Sequence, residues 1–432
     1  MKVIMASTPA TGHVNPMLAI TKFLVEDGHD VVFLTGAPFR DRIEKAGAKL
    51  HVTPGQEDVE QKNIHDVAPE LENVEPGLEW LRIAFEKIFI ERIPNQDKGL
   101  RDVLKDFPAD AIVADDMFFG LLPMLLGPRA KRPMVVSCGT SILHWRREDK
   151  APLFIGLPPA ETPAQFKEYE AIAEDYSERV DQPCAKRLNS ILRDFGVGPL
   201  TMPLFESTVA YSDVYMQLSV PGFEFPRPMP SSVNFVGALP ITPGQAPIPS
   251  WAGDLDGKRK VVLVTQGTVA NLDFGLLIVP TLEALANEPD ILVVVTAGGR
   301  PIDAIPGPIP ENARVAEYLP FEWLLPKVDV LVTNGGYGSV NQALSFGIPI
   351  IAAGLTEDKA DVNVRIGWSG AGINLKTNNP TPDAIRAAVR SALDTPDYRQ
   401  NAQRLAAEYS TYDAKAETLR LLGQKSVRSK VA

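Results

Sequence analysis

The chain has 432 residues, enough for two domains of ordinary size, with the 45% apolar content of a soluble globular protein. Its formal charge of −11 argues against nucleic acid and anionic lipid as partners, and no apolar run approaches the roughly 20 residues a spanning helix needs. Two cysteines, Cys138 and Cys184, make neither a disulfide framework nor a metal cluster, which fits a reducing, cytoplasmic setting.

The N-terminus carries one lysine and an apolar run broken by Thr8, Pro9 and His13, so Lys2 to Ser7 reads as a first strand and not as a signal peptide. A turn is expected over Thr8 to Asn15. Apolar residues at helical spacing then predict a helix from Pro16 to Glu26, and Val31 to Leu34 is the next strand, a βαβ opening. Further strands are expected at Lys49–Thr53, Ala111–Ala114 and Met134–Ser137. Leu78 to Leu104 reads as mainly helical, with Ile83, Phe85, Ile88, Phe89 and Ile90 crowding one side as core. Residues 140 to 230 are irregular, with a Pro-rich stretch at Gly156–Thr162, a helical pattern over Gln165–Arg193 and four prolines in Pro221–Pro230.

Four prolines between Pro240 and Pro249 mark a linker, and the βαβ pattern restarts after it. Strands are expected at Lys260–Thr265, Ile291–Thr296, Arg314–Tyr318, Val328–Val332 and Pro349–Ala353. Helices are expected at Leu276–Leu285, near Ser339, and over Asp383–Asp394, Tyr398–Tyr409 and Ala414–Leu422, with frayed residues at the end. This divides the chain into an N-terminal domain (1–237), a linker (238–258), a C-terminal domain (259–410) and a final helix and tail (411–432). The fold class is α/β: two doubly wound Rossmann-like domains facing each other across a cleft.

In open parallel sheets, ligands sit beyond the carboxyl ends of the strands. Two ionisable groups of the first half fall at such ends: His13 after the first strand, and Asp115 with Asp116 after Ala111–Ala114. A histidine within reach of a carboxylate is the usual general-base pairing, although one histidine and an acidic pair also meet at sheet edges by chance. His29 and His51 flank strands as surface or packed residues, and nothing assigns a role to His65 or His144. In the second half, the strand ending near Val332 runs into Asn334-Gly335-Gly336-Tyr337-Gly338-Ser339 and then a helix. Glycines permit close backbone approach and the helix N-terminus offers unpaired N–H groups, which together would seat a diphosphate. Glu357, Asp358 and Lys359 follow the next strand and suit sugar hydroxyls. No nucleophile elbow, Walker sequence or metal-ligand spacing occurs.

Taken together, PATGHVNP (9–16), VADDMFF (113–119), TQGT (265–268), YLPFEWLL (318–325), NGGYGSVNQAL (334–344) and TEDKADVN (356–363) resemble the motifs of the family-1 nucleotide-sugar-dependent glycosyltransferases. The resemblance, to the natural-product members of bacteria and plants, spans both halves and implies the GT-B architecture. It implies that His13 deprotonates the acceptor, with Asp115 as its partner and Asp116 a rival for that role. It further implies that Tyr318 stacks on the base, Leu319 lends backbone groups to it, and Thr268, Gly336, Gly338 and Ser339 surround the diphosphate. Asp358 and Lys359 match the pair that holds the donor sugar. Four positions depart from the family pattern. Asn334 stands for a histidine, Gln342 for a ribose-binding glutamate, and Phe321 and Lys359 for glutamines.

The expected activity is inverting transfer of a sugar from a UDP- or dTDP-sugar to a hydroxyl of a small apolar or aromatic acceptor. The nucleotide sugar is a co-substrate, and no metal or other cofactor is required. The rivals are a nucleotide-sugar epimerase and a catalytically silent binding helper. Lys359 raises the further expectation of a donor bearing an acidic group.

Overall fold

The computed structural model describes residues 1–57, 67–75, 77–241, 246–268 and 271–428, with side chains up to residue 423. His65 lies outside the described residues. Two parallel sheets organise the chain. The first has seven strands in the order β3-β2-β1-β4-β5-β6-β7: β1 (Lys2–Ala6), β2 (Asp30–Thr35), β3 (Lys49–Val52), β4 (Ala111–Asp115), β5 (Met134–Gly139), β6 (Val214–Gln217) and β7 (Val233–Phe235). The second has six in the order β10-β9-β8-β11-β12-β13: β8 (Lys260–Thr265), β9 (Ile291–Thr296), β10 (Ala313–Ala316), β11 (Val330–Thr333), β12 (Ile350–Ala352) and β13 (Gly372–Asn374). The central strands are continuous apolar runs because helices cover both faces; β4 and β9 are buried at every residue.

In each sheet the strand order reverses once, between β1 and β4 in the first and between β8 and β11 in the second. The loops leaving those strands diverge to opposite faces and open a crevice at the carboxyl edge. Both crevices face one cleft. The register places Ala6 opposite Ala114, so the loop after β1 and the end of β4 meet side by side.

Helix α1 runs from Thr11 to Glu26, not from Pro16 as its sequence suggests. Burial of Val14 and Met17 outweighs the single backbone hydrogen bond that Pro16 removes, so His13 sits in the first helical turn and not in a loop. The helical stretch after Leu78 is interrupted: an α-turn run to Ala84 passes through a π-turn at Phe85–Phe89 before resuming at Ile93–Asp106. A second π-turn, Ser177–Asp181, interrupts the Pro163–Asp194 helix. Strands β6 and β7 are not apparent from the sequence. Neither is the helix at Lys359–Trp368 (α3), which follows α2 (Tyr337–Ser345).

Helix α4 (Pro396–Tyr409) packs on α2 beside the second sheet, and α5 (Ala414–Arg428) returns to the first sheet. Leu421 and Leu422 join the core that holds Val14, Met17 and Leu24, and Lys415 pairs with Glu26 at 2.5 Å. Helix α5 therefore reaches Arg428, inside the segment expected to be frayed.

The two halves are joined by buried polar contacts. Arg365 on α3 donates to Glu224 at 2.6 and 2.9 Å, with Arg227 on the same carboxylate at 2.9 Å, and all three are nearly inaccessible. These two guanidinium groups overcome the effect of burial and hold the Glu224 pKa down to about 2. Ser219 donates to Asn341 at 2.7 Å, and Gln217 donates to the Tyr337 hydroxyl at 2.7 Å.

Candidate active site

The cleft between the sheets encloses about 1240 Å³. That exceeds the roughly 300–1,000 Å³ of a single small-molecule site and leaves room for two ligands. Its three walls come from different parts of the chain.

His13 lines the first wall. Its Nδ1 lies 3.3 Å from Asp115 Oδ1 and 3.1 Å from Thr140 Oγ1. Asp115 ends β4 and is anchored in turn: its carboxylate accepts the Thr8 amide at 2.6 Å and the Met117 amide at 2.9 Å. Burial works to lower the His13 pKa. The adjacent Asp115 carboxylate outweighs it, with Asp116 and Asp358 adding to the field, and lifts the pKa to about 8.

Asp116 turns the other way. It accepts from Tyr215 at 3.0 Å, lies 2.8 Å from His144 Nδ1, and reaches His13 only through the hydroxyl of Thr140 at 3.2 Å. Burial favours its neutral form, but the hydrogen bonds from His144 and the Thr140 amide bring its pKa below the usual value. The Asp115-Asp116 doublet thus serves two histidines, one exposed to the cleft and one buried.

Helix α2 supplies the second wall. Its N-cap, Gly336, makes no side-chain cap, so the first-turn N–H groups have neither an intrahelical nor a capping partner, and Gly336, Gly338 and Ser339 face the cleft. The turn before it depends on Gly335, whose φ is +100° and whose missing Cβ would fall 1.9 Å from Asn363 Oδ1. Asn334 commits its amide to the Gln266 carbonyl at 2.8 Å, tying the β11 loop to the β8 loop that carries Thr268. Leu319, Phe321 and Gln342 also line the cleft. Tyr318 does not: its ring packs against Gly299 and is 56% exposed.

Asp358 and Lys359 stand between these walls. Asp358 accepts the Ser141 hydroxyl from the opposite half, and Lys359, buried, pairs with Glu357. Burial works to lower the Lys359 pKa, and Glu357 and Asp358 raise it beyond its usual value. Its charge is already met from within the protein.

The third wall is aromatic. Phe85, Phe89 and Phe154 line the cleft, with Phe85 and Phe154 at 5.2 Å and both packed edge-on or tilted against Phe205. Phe85 and Ile88 are thus core and cleft at once, because the π-turn directs its side chains to both.

Sequence reasoning missed Thr140, Ser141 and Phe154. Thr140 and Ser141 lie beyond the carboxyl end of β5, next to β4, so the strand-end rule that picks out His13 applied to them too. No signal in the sequence distinguishes Phe154.

Among the described residues no group of three or more His, Cys, Asp or Glu could hold a metal ion, and no helix is long and apolar enough to cross a membrane.

The family model described as "Erythromycin biosynthesis protein CIII-like, C-terminal domain" matches residues 281–422. A 4'-demethylrebeccamycin synthase from Lentzea aerocolonigenes is 39% identical over 425 residues, covering 98% of each chain. A UDP-glycosyltransferase from Phaeomoniella chlamydospora is 34% identical, covering 95% of this chain and 93% of its own. Among solved structures, a calicheamicin glycosyltransferase superposes with a TM-score of 0.71 at 19% identity, covering 98% of both chains. A spinosyn rhamnosyltransferase complexed with thymidine diphosphate gives 0.69 at 18%, covering 98% of this chain and 100% of its own. At those identities the superpositions speak to the fold alone. The identity to named glycosyltransferases runs along nearly the whole chain and agrees with the two-sheet architecture; the protein belongs to the nucleotide-sugar-dependent glycosyltransferases of natural-product type, built on the GT-B fold.

Proposed function

We propose that the protein is an inverting glycosyltransferase in which His13 is the general base. An acceptor hydroxyl gives its proton to His13 Nε2 as its oxygen attacks the anomeric carbon from the face opposite the diphosphate. Asp115 and Thr140 hold Nδ1, fixing the tautomer and stabilising the imidazolium that forms. Charge developing on the departing diphosphate is met by the N-terminal amides of α2 and by the Gly335–Gly338 turn, with no metal taking part in this step. Asp358 and Lys359 flank the donor sugar, and Gln342 takes the ribose. The aromatic wall of Phe85, Phe89 and Phe154 receives an apolar, flat acceptor.

The observation that carries this reading is the His13–Asp115 pair at 3.3 Å, set in the same cleft as the uncapped helix N-terminus and the aromatic wall. A silent helper would have no use for an imidazole held in this way, and an epimerase needs an acid/base set free to act on the donor, whereas Lys359 is paired with Glu357 and Asp358 is bonded to Ser141. His13→Ala is expected to lose about 10²–10⁴-fold in turnover while nucleoside diphosphate binding survives. Normal turnover by this variant refutes the assignment.

A further inference from the structure

The segment that follows β5 crosses the cleft and is fastened at two points to the start of α3. Ser141 donates to Asp358, and thirteen residues later the amides of Phe154 and Gly156 donate to the two carboxylate oxygens of Asp361, at 2.6 and 3.0 Å. Asp361 is buried in the first turn of the helix that Asp358 caps, and it is not among the residues that line the cleft. At the second fastening the backbone is strained. Phe154 has a φ of +68°, a left-handed conformation that a bulky residue adopts only when its surroundings impose it. Gly156 has a φ of +71° and sits so close to Ala360 that a Cβ would lie 2.9 Å from the Ala360 carbonyl oxygen. The Phe154 side chain lands stacked on His144 at 5.5 Å and tilted against Phe205 at 4.8 Å, where it forms part of the aromatic wall.

We propose that Asp361 is a positioning residue for the acceptor. By holding the amides of Phe154 and Gly156 it keeps Phe154 in its strained backbone conformation, so the acceptor wall is complete only when the donor-side helix is seated. Acceptor affinity is thereby coupled to the donor half through one carboxylate that touches neither substrate. The proposal rests on the reading that the acceptor lies against Phe85, Phe89 and Phe154.

The test uses 7-hydroxycoumarin as the acceptor probe, its dissociation constant read from its own fluorescence, and the thermal shift given by UDP as the donor-side readout. Asp361→Asn keeps the shape but presents an N–H group to one of two N–H donors. It should weaken 7-hydroxycoumarin binding about tenfold or more while leaving the UDP shift unchanged. Phe154→Ala should weaken it similarly, and adding Asp361→Asn to Phe154→Ala should cost nothing further, since the carboxylate acts through that ring. An unchanged dissociation constant for Asp361→Asn overturns the clamp. So does additivity of the two substitutions, or parallel loss of the UDP shift, either of which makes Asp361 a structural residue. If Phe154→Ala is also without effect, or the wild-type protein fails to bind the probe, the acceptor reading falls and the clamp falls with it.

Discussion

Replacing Asp115 with asparagine tests the proposed base most sharply, because it removes the charge that sets the His13 pKa while leaving the side chain's shape. The His13 pKa stands at about 8 against an ordinary 6.5. That difference of about 1.5 units corresponds to about 2 kcal/mol favouring the imidazolium, or about 30-fold in an equilibrium. Burial acts in the opposite sense and Asp116 and Asp358 add to the field, and the Asp115 carboxylate is the largest of the groups that raise the pKa. Asp115→Asn should therefore move the acid limb of kcat/KM from about pH 8 towards about 6.5. It should also lower the high-pH plateau by up to about 30-fold, since the imidazolium of the transition state loses its counter-charge. At pH 7 the two effects partly offset each other, leaving a net loss of at most about fourfold. The variant gains about eightfold in neutral imidazole and loses up to about 30-fold in rate, so a single-pH assay would miss the point. The assay is release of nucleoside diphosphate across pH 6 to 10. Stability gives an independent reading. A raised histidine pKa stabilises the fold fully below pH 6.5, and this contribution is lost as pH rises through about 8, so wild type should lose about 2 kcal/mol across that window and the variant should not. An acid limb that stays in place, or a plateau that does not fall, refutes the reasoning.

Gly335→Ala forces a Cβ into Asn363 at a positive φ; it should destabilise the protein by about 2–4 kcal/mol and abolish the UDP-induced shift in Tm. Arg365→Met strands the buried Glu224 carboxylate with one guanidinium in place of two, and urea unfolding should show a loss of about 3–5 kcal/mol. The depressed Glu224 pKa stabilises the fold above pH 4.5 and is lost as pH falls towards 2. Glu224→Gln should therefore flatten the acid limb of the stability curve, by about 3 kcal/mol over that range. Because Glu357 and Asp358 already neutralise Lys359, UDP-glucose should be used with a higher kcat/KM than UDP-glucuronate; the reverse preference would mean that Lys359 is released to bind the donor.

Much of the architecture is legible in local patterns. Continuous apolar runs such as Ile291–Thr296, short and rich in β-branched residues, read as strands buried on both faces, and their alternation with helices points to parallel sheets. The positions of His13, Asp115 and the Gly335–Ser339 turn at strand ends follow from the same pattern, because chain order and the right-handed crossover leave few topologies open. Local rules fail where a distant contact decides. Strand β6 is only four residues, Val214–Gln217, inside an irregular stretch, and it exists because β5 offers an edge for it to pair with. Helix α1 begins five residues early because tertiary burial outweighs the cost of Pro16.

The sequence alone determined the two parallel sheets, the strand ends from which the cleft is built, and the residue types available there. Only the tertiary structure decided how those residues are shared. Asp115 serves His13 while its neighbour Asp116 serves His144, Lys359 is spent on Glu357, and a loop from one half is held by Asp361 of the other. The physical reason is that strand and helix periodicity depend on neighbours within a few residues, and a sequence carries those directly. Which hydrogen-bond partner a buried charged group takes, whether 2 residues away as for Lys359 and Glu357 or 207 as for Asp361 and the Phe154 amide, is settled by distances of a few tenths of an ångström, which exist only after the chain has closed on itself.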